Sequence, residues 1–504
     1  MANVIIFSDN ILHNYAGTRP RPSLRSVGPY RIATEIRKKG LTCQVIEMMT
    51  EFSIDEIERL CRKFISEDTL IVGFSTNFWM KDIPIIGQRI SKIITVSKKI
   101  NSKLKIIIGG ANALELSKKF NVDAAFLGYG EHTFLNYLEN LISKSTPLIP
   151  SRFIGKVKIF DFVERSDIFN FCNSTIEYTD SDLIIPGEPV ILEVGRGCIF
   201  KCKFCSYPLT GKKKLDHLKD AEVIRKELIK NYENYKIDKY IISDDTFNDS
   251  NEKLEFLHDV FTSLPFKIKF SSYLRLDLLN KHRHQIELLR DMGLVGANFG
   301  IESFYEKSAR LVGKGMVSNV AKDFLYDLKT KYWGNTVKIQ INLIAGLPYE
   351  THESYDKTNN WILDEEACLV ESISISTLGL RDPKVLENTW ASEFEKNSDK
   401  YGYYWKDSDP RFWYNDSNPV KDLNEADLVR KKLTQSVDDT QRQSLQGGFS
   451  LFSNFAKTMF FENQRTFEEQ LLMDRKEYSR WFMSQVASGS RKFIQDYKKK
   501  LFEL

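Results

Sequence analysis

Along residues 1–150, short apolar runs alternate with amphipathic stretches, the pattern of parallel strands joined by crossover helices. The runs that predict strands are 4–8, 43–47, 70–75, 105–110 and 124–128, and helical spacing of apolar positions covers 28–39, 54–65, 84–100 and 131–141. Pro84 suits a first helical position, where its missing N–H costs nothing. The expected unit is a small doubly wound, Rossmann-like domain, whose ligands normally lie beyond the carboxyl ends of the strands. Gly73, Gly109, Gly110, Gly128 and Gly130 stand at those ends, where a missing side chain admits a ligand or another backbone.

Residues 151–187 carry weak periodicity and predict a linker. Over 188–385 the alternation resumes with apolar runs at 190–194, 239–243, 267–272, 296–301, 338–343 and 372–376. Six strands with intervening helices predict a partial (β/α)6 TIM-type barrel, so the chain is α/β overall. Residues 386–504 read as a mostly helical C-terminal cap of unassigned role, ending in a Lys498-Lys-Lys run expected to be a solvated helix end. Within that region, Tyr401-Gly-Tyr-Tyr-Trp and Arg411-Phe-Trp-Tyr could stack nucleic-acid bases, but buried packing on the barrel is favoured because stacking platforms come with a basic groove.

Composition narrows the classes. The 504 residues are 42% hydrophobic and 28% charged, ordinary for a folded chain of several layers. Lys plus Arg (72) exceed Asp plus Glu (68) by only 4, so the whole-chain charge carries no signature of nucleic acid or membrane surface, while a local basic patch stays open. Seven cysteines are too few for a disulfide framework, and Met1–Phe7 lacks the basic start and long apolar core of a signal peptide. A reducing, cytoplasmic setting is expected, without a membrane span, since no apolar run approaches about 20 residues.

The cysteines are unevenly placed. Cys43, Cys61, Cys172 and Cys368 are scattered, whereas Cys198, Cys202 and Cys205 share one loop between a predicted strand and a helix. Thiolates are soft anionic ligands that suit iron-sulfur clusters, and three ligands on four irons leave one iron open for chemistry. A zinc site normally needs a fourth protein ligand, and the next histidine is His217, twelve residues on. Three reduced, unligated thiols are the remaining alternative.

The Cys-x3-Cys-x2-Cys spacing, with Phe204 before the third cysteine, resembles the signature of the radical S-adenosylmethionine (SAM) superfamily. The resemblance implies a [4Fe-4S] cluster whose open iron chelates SAM and, on reduction, cleaves it to a 5'-deoxyadenosyl radical that abstracts hydrogen from substrate. It also implies an electron donor such as flavodoxin or ferredoxin. Later segments match in order. Ser243, Asp244 and Asp245 close the second barrel strand, where the family meets the methionine end of SAM, although a helix N-cap is an equal reading. Arg275 at the third strand end would contact SAM or substrate, or form a surface ion pair. Gly300-Ile-Glu302-Ser looks like the element whose carboxylate contacts SAM, and Lys314 matches the cation that pairs with the SAM carboxylate. Asn342 and Gly346 belong to the fifth-strand element that approaches adenine. By this resemblance Phe204 also belongs to cofactor binding.

The first domain resembles the cobalamin-binding-type domain that precedes many radical SAM domains. The resemblance implies that Gly109, Gly110, Gly128 and Tyr129 border cobalamin and that residues 76–79 approach its edge. The Asp-x-His-x-x-Gly motif is missing, since Asp9 and His13 are four apart, so a lower-axial histidine is not expected. The implied activity is cobalamin-dependent methylation of an unactivated carbon in an unknown small molecule, peptide or RNA. The alternatives are a cobalamin-independent radical SAM enzyme for methylthiolation, cyclisation or rearrangement, and a non-enzymatic iron-sulfur module. Methylthiolation needs a second cluster, for which Cys43, Cys61 and Cys172 are available.

Overall fold

A computed structural model describes residues 2–9, 25–76, 84–110, 112–143, 148–161, 170–207, 209–364, 369–385, 391–440, 467–474, 476–477 and 493–504. The chain divides into two compact units, one comprising 1–191, 222–237 and 486–504 and the other 192–221 and 238–485.

The first unit is built on strands β1 (Val4–Phe7), β2 (Cys43–Ile46), β3 (Ile71–Ser75), β4 (Lys105–Gly109) and β5 (Ala124–Phe126), all five at the expected places and mutually parallel in the order β2-β1-β3-β4-β5. Helices α1 (Val27–Lys38), α2 (Ile54–Phe64), α3 (Pro84–Ile100) and α5 (Glu131–Ser143) follow the predicted spacing, whereas α4 (Ala113–Lys119) is short and escaped it. The strands are buried on both faces, as crossover topology requires. Helix α2 starts with a reciprocal Ser53–Glu56 capping box, worth about 1 kcal/mol.

The expected linker corrects to something more ordered. Strand β6 (Arg152–Ile154) pairs antiparallel with β7 (Val157–Phe160), and β7 extends the sheet beside β5. Farther on, Arg25 clamps Glu188 at 2.6 Å and donates to the carbonyls of Asp182 and Leu183, while Arg37 forks onto the Asp182 carboxylate at 2.7 Å. These buried charge-assisted bonds fix the segment's far end to α1. The lysine run is a solvated helix end at Lys499 and Lys500, which are exposed, while Lys498 is half-buried. Lys498 pairs with Glu56 at 2.8 Å and lies over the Phe52 ring, within a helical stretch at 493–503 whose Tyr497 hydroxyl accepts the Glu47 N–H.

In the second unit, strands β8 (Val190–Leu192), β9 (Lys239–Ile242), β10 (Lys269–Leu274), β11 (Leu294–Glu302), β12 (Lys338–Ala345) and β13 (Ser372–Thr377) form one sheet in strict chain order, a (β/α)6 partial barrel. Helix α6 (Ala221–Tyr235), which comes after β8 in the chain, belongs to the first unit, and helices α7 (Asn251–Thr262), α8 (Leu276–Lys281), α9 (His284–Asp291), α10 (Glu306–Val312), α11 (Ser318–Asp327) and α12 (His352–Leu363) follow the later strands. The C-terminal region contributes helices α13 (Glu393–Lys396), α14 (Ser398–Tyr401) and α15 (Leu423–Asp439), plus an unexpected hairpin of β14 (Tyr404–Lys406) and β15 (Asp409–Tyr414). Of its aromatics, Tyr403 and Trp413 pack inward as anticipated, whereas Tyr404 is exposed and Tyr401, Trp405, Phe412 and Tyr414 are half-exposed. Trp413 is fully buried, donates to the Leu378 carbonyl at 2.7 Å and meets the buried Tyr403 edge-on. Among the described residues, no helix is long and apolar enough to cross a membrane.

Candidate active site

The loop after β8 is held in shape by its own return segment. The N–H of Arg196 reaches the His217 carbonyl at 3.0 Å, that of Cys198 reaches Leu209 at 3.2 Å, and that of Gly211 reaches Cys198 at 2.7 Å. Gly197 is obligatory: its φ is +76°, and a Cβ there would lie 2.5 Å from the Leu209 Cβ and 2.6 Å from its carbonyl oxygen. The sequence thus winds Cys198, Cys202 and Cys205 into one tight turn, with all three half-buried and none in a disulfide. Phe204 lies half-buried between the last two.

The donors fit a polynuclear cation. Burial pushes the Cys198 thiol up, and burial followed by repulsion from the other cysteines pushes Cys205 up to about 11. Thiolates so placed need a compensating positive centre. No three His, Cys, Asp or Glu side chains among the described residues could hold a single metal ion. Each cysteine of a [4Fe-4S] cluster would bind its own iron, so the three sulfurs need not converge on one point.

Arg275, at the end of β10, is a loop clamp rather than a surface cation. It is buried, forks onto Asp277 at 2.9 and 2.6 Å, donates to the Gly313 carbonyl at 3.0 Å and approaches the Cys202 sulfur at 3.8 Å. Its guanidinium stacks 3.9 Å from the Phe200 ring centre. Five rigid donors in a plane serve all these partners together.

At the end of β9 the three candidate residues separate. Ser243 and Asp245 are exposed, whereas Asp244 is buried and committed to Lys253 at 2.9 Å, with Asp249 on the other side of the same ammonium at 3.4 Å. Removing one partner of such a buried set costs roughly 3–5 kcal/mol.

Strand β11 ends in a bulge that puts Glu302 at φ +65° and folds its carboxylate back to Lys314 at 3.3 Å. Lys314 is set by the left-handed Gly313 that stops α10, and a Cβ on Gly313 would lie 4.0 Å from the Cys202 sulfur. Burial raises the Glu302 carboxyl, and Lys314 opposes the shift. Glu302, Lys314, Arg275 and the cysteine loop are therefore assembled at one end of the barrel.

Asn342 faces the barrel interior through a polar ladder, donating to Asn298 at 2.6 Å and accepting from Gln340 at 3.2 Å. Gly346 makes its close approach to protein: at φ +92°, a Cβ would meet Trp413 and Ala426 at 2.9 Å. Glu350 is buried between the Ser303 and Ser354 hydroxyls. Sequence reasoning missed Thr246, whose hydroxyl lies 3.3 Å from the Cys198 sulfur, and Lys253, whose partners lie four to nine residues back.

In the first unit, Gly109 and Gly110 end β4, and Gly128 and Tyr129 follow β5 on the adjacent position of the sheet. All four are half-exposed above buried strands, and Gly110 (φ +98°) and Gly128 (φ +80°) need left-handed backbone. Three of these four are glycines, so apart from Tyr129 the rim is low, which fits the edge of a broad flat ligand. Thr76 bonds the Gly109 carbonyl at 2.7 Å; positions 77–79, His13 and Cys368 lie outside the described residues.

Comparison with known proteins bears on this arrangement. Residues 192–362 match the model of the radical SAM superfamily. An uncharacterized methyltransferase of Pyrococcus horikoshii is 23% identical over 368 residues, 70% of this chain and 75% of that one. Among solved structures, the radical SAM methyltransferase TsrM from Kitasatospora setae, with tryptophan substrate and a SAM analog bound, aligns with a TM-score of 0.64 at 12% identity over 99% of this chain and 100% of its own. The cobalamin-dependent SAM radical enzyme OxsB, with aqua-cobalamin and SAM bound, aligns with a TM-score of 0.54 at 15% identity over 79% of this chain. This chain spans 56% of OxsB's length. At these identities the likeness is one of fold.

Proposed function

We propose that this chain, which carries a radical SAM domain over residues 192–362, is a cobalamin-dependent radical SAM enzyme that methylates an unactivated carbon. The observation that carries the reading is the joint placement of the Cys198–Cys202–Cys205 loop, its Arg275 clamp and the Glu302–Lys314 pair at one barrel end. When bound, the cluster supplies the electron that cleaves SAM to a 5'-deoxyadenosyl radical, and cobalamin supplies the methyl group.

The chain's own residues bind, orient and shelter. Cys198, Cys202 and Cys205 would hold the cluster. Ser243 and Asp245, exposed at the end of β9, would accept hydrogen bonds from the SAM ammonium, and Lys314 would face its carboxylate while Glu302 holds the lysine in place. Asp244 and Lys253 support that strand end from beneath. Gly109, Gly110, Gly128 and Tyr129 would border cobalamin. TsrM is a methyltransferase solved with both cobalamin and a [4Fe-4S] cluster, which supports the same pairing here. A second cluster, as methylthiolation requires, is disfavoured because Cys43 and Cys61 are core residues with thiols pushed up to about 12 by burial.

The test is anaerobic reconstitution with iron, sulfide and hydroxocobalamin, desalting, and incubation with SAM, reductant and host extract. The proposal expects a retained cobalamin absorption band and a product carrying one added methyl group by mass spectrometry. A protein that lacks the cobalamin band yet releases 5'-deoxyadenosine with methyl-free product would assign it to the cobalamin-independent class.

A further inference from the structure

Arg275 divides its guanidinium between two kinds of partner. The edge formed by Nε and Nη2 forks onto the Asp277 carboxylate at 2.9 and 2.6 Å, and Nη2 also reaches the Gly313 carbonyl at 3.0 Å. Nη1 lies off that edge and donates to the Cys202 sulfur at 3.8 Å. The Phe200 ring, 3.9 Å from the guanidinium carbon, fixes the plane of the fork, and the arginine side chain is only 6% exposed. A full positive charge is thus held beside one sulfur of the loop and largely out of water. Cys198 meets uncharged groups instead, the Thr246 hydroxyl at 3.3 Å and the Phe200 N–H at 3.5 Å. Hydrogen bonds to the ligating sulfurs and nearby charge are among the terms that set a cluster's reduction potential, and charge acts most strongly where water is excluded.

We infer that Arg275 and Asp277 together set the reduction potential of the group held by the cysteines, an inference that rests on the reading that this group is a cluster. Arg275 is then a positioning residue with an electrostatic role beyond clamping the loop. One-electron reduction by an external reductant adds one negative charge and makes or breaks no bond, so a cation beside the Cys202 sulfur favours the reduced state. Asp277 opposes that bias, but it sits on the Nε edge while the sulfur meets Nη1, so the sulfur faces the positive end of the pair. Arginine suits the task because its guanidinium keeps its proton at any working pH.

The experiment is a dithionite redox titration, followed by electron paramagnetic resonance without SAM, of the full-length reconstituted chain as wild type, Arg275→Gln and Asp277→Asn. The signal comes from cluster-bearing molecules, so iron lost from a variant lowers the amplitude without moving the midpoint. Arg275→Gln should disfavour one-electron reduction roughly tenfold, a midpoint lower by about 59 mV. Asp277→Asn, which leaves the arginine in place and removes its counter-charge, should favour reduction several-fold and raise the midpoint. Shifts of opposite sign follow from charge, whereas a loosened loop would not reverse sign between the two variants. Midpoints equal to wild type in both variants, or displaced in the same direction, would overturn the inference. A wild type without any reduced [4Fe-4S] signal would instead count against the cluster reading itself.

Discussion

Lys314 and Glu302 meet at 3.3 Å directly over Gly300, where a Cβ would lie 2.4 Å from the Glu302 carboxylate and 3.0 Å from the Lys314 ammonium. The missing side chain at 300 is what lets the ion pair close across the strand end. Gly300→Ala should therefore splay the pair and weaken SAM binding roughly tenfold, about 1.4 kcal/mol, in equilibrium dialysis with labelled SAM. Unchanged affinity would show that the pair plays no part in holding SAM.

Arg275→Lys tests the loop clamp. Lysine keeps the charge but cannot fork onto Asp277 while reaching the Gly313 carbonyl and stacking on Phe200. Iron retained after reconstitution and desalting should fall several-fold, while thermal stability changes less. Full iron content with lost SAM binding would make Arg275 a ligand contact instead.

Gly346→Ala should act on stability. The new methyl group would strain a φ of +92° and collide with Trp413 and Ala426, a combination costing about 2 kcal/mol or more. A lowered melting temperature with the cluster spectrum intact is expected; a normal melting temperature with reduced SAM affinity would restore the glycine to the cofactor site.

These cases show what a linear sequence reveals. The cysteine loop is legible because its three ligands lie within eight positions, and the strands are legible because both faces are buried and their apolar runs are unbroken. Gly346 reads as a ligand position in the sequence because the neighbours that a Cβ there would meet, Trp413 and Ala426, lie 67 and 80 residues away. The strands at 152–154 and 157–160 left little signal: they are three and four residues long, and Phe153 points to solvent at 60% exposure. Asp244 and Asp245 look equivalent in sequence, yet in the loop after β9 one is buried against Lys253 and the other is exposed.

Glu47 makes stability depend on pH. Burial, reinforced by Asp9 and opposed by the Ser26 N–H and Arg25, raises its carboxyl from 4.5 to about 7. The folded state then binds the proton more tightly than the unfolded chain, so stability declines as pH rises from about 4.5 to about 7 and the loss is complete above that range. The ceiling is about 3 kcal/mol. Glu47→Gln should gain stability over wild type at pH 8 and little at pH 5 in urea denaturation. An equal difference at both values would mean that Glu47 does not titrate in this window.

The central claim is that Cys198, Cys202 and Cys205 hold a cluster that cleaves SAM. It is tested most directly by electron paramagnetic resonance of the anaerobically reconstituted, reduced protein with and without SAM, alongside a Cys202→Ala variant. The account predicts a reduced [4Fe-4S] signal that SAM perturbs, release of 5'-deoxyadenosine, and loss of both in the variant. Zinc in place of iron, or a variant with the wild-type signal, would contradict it.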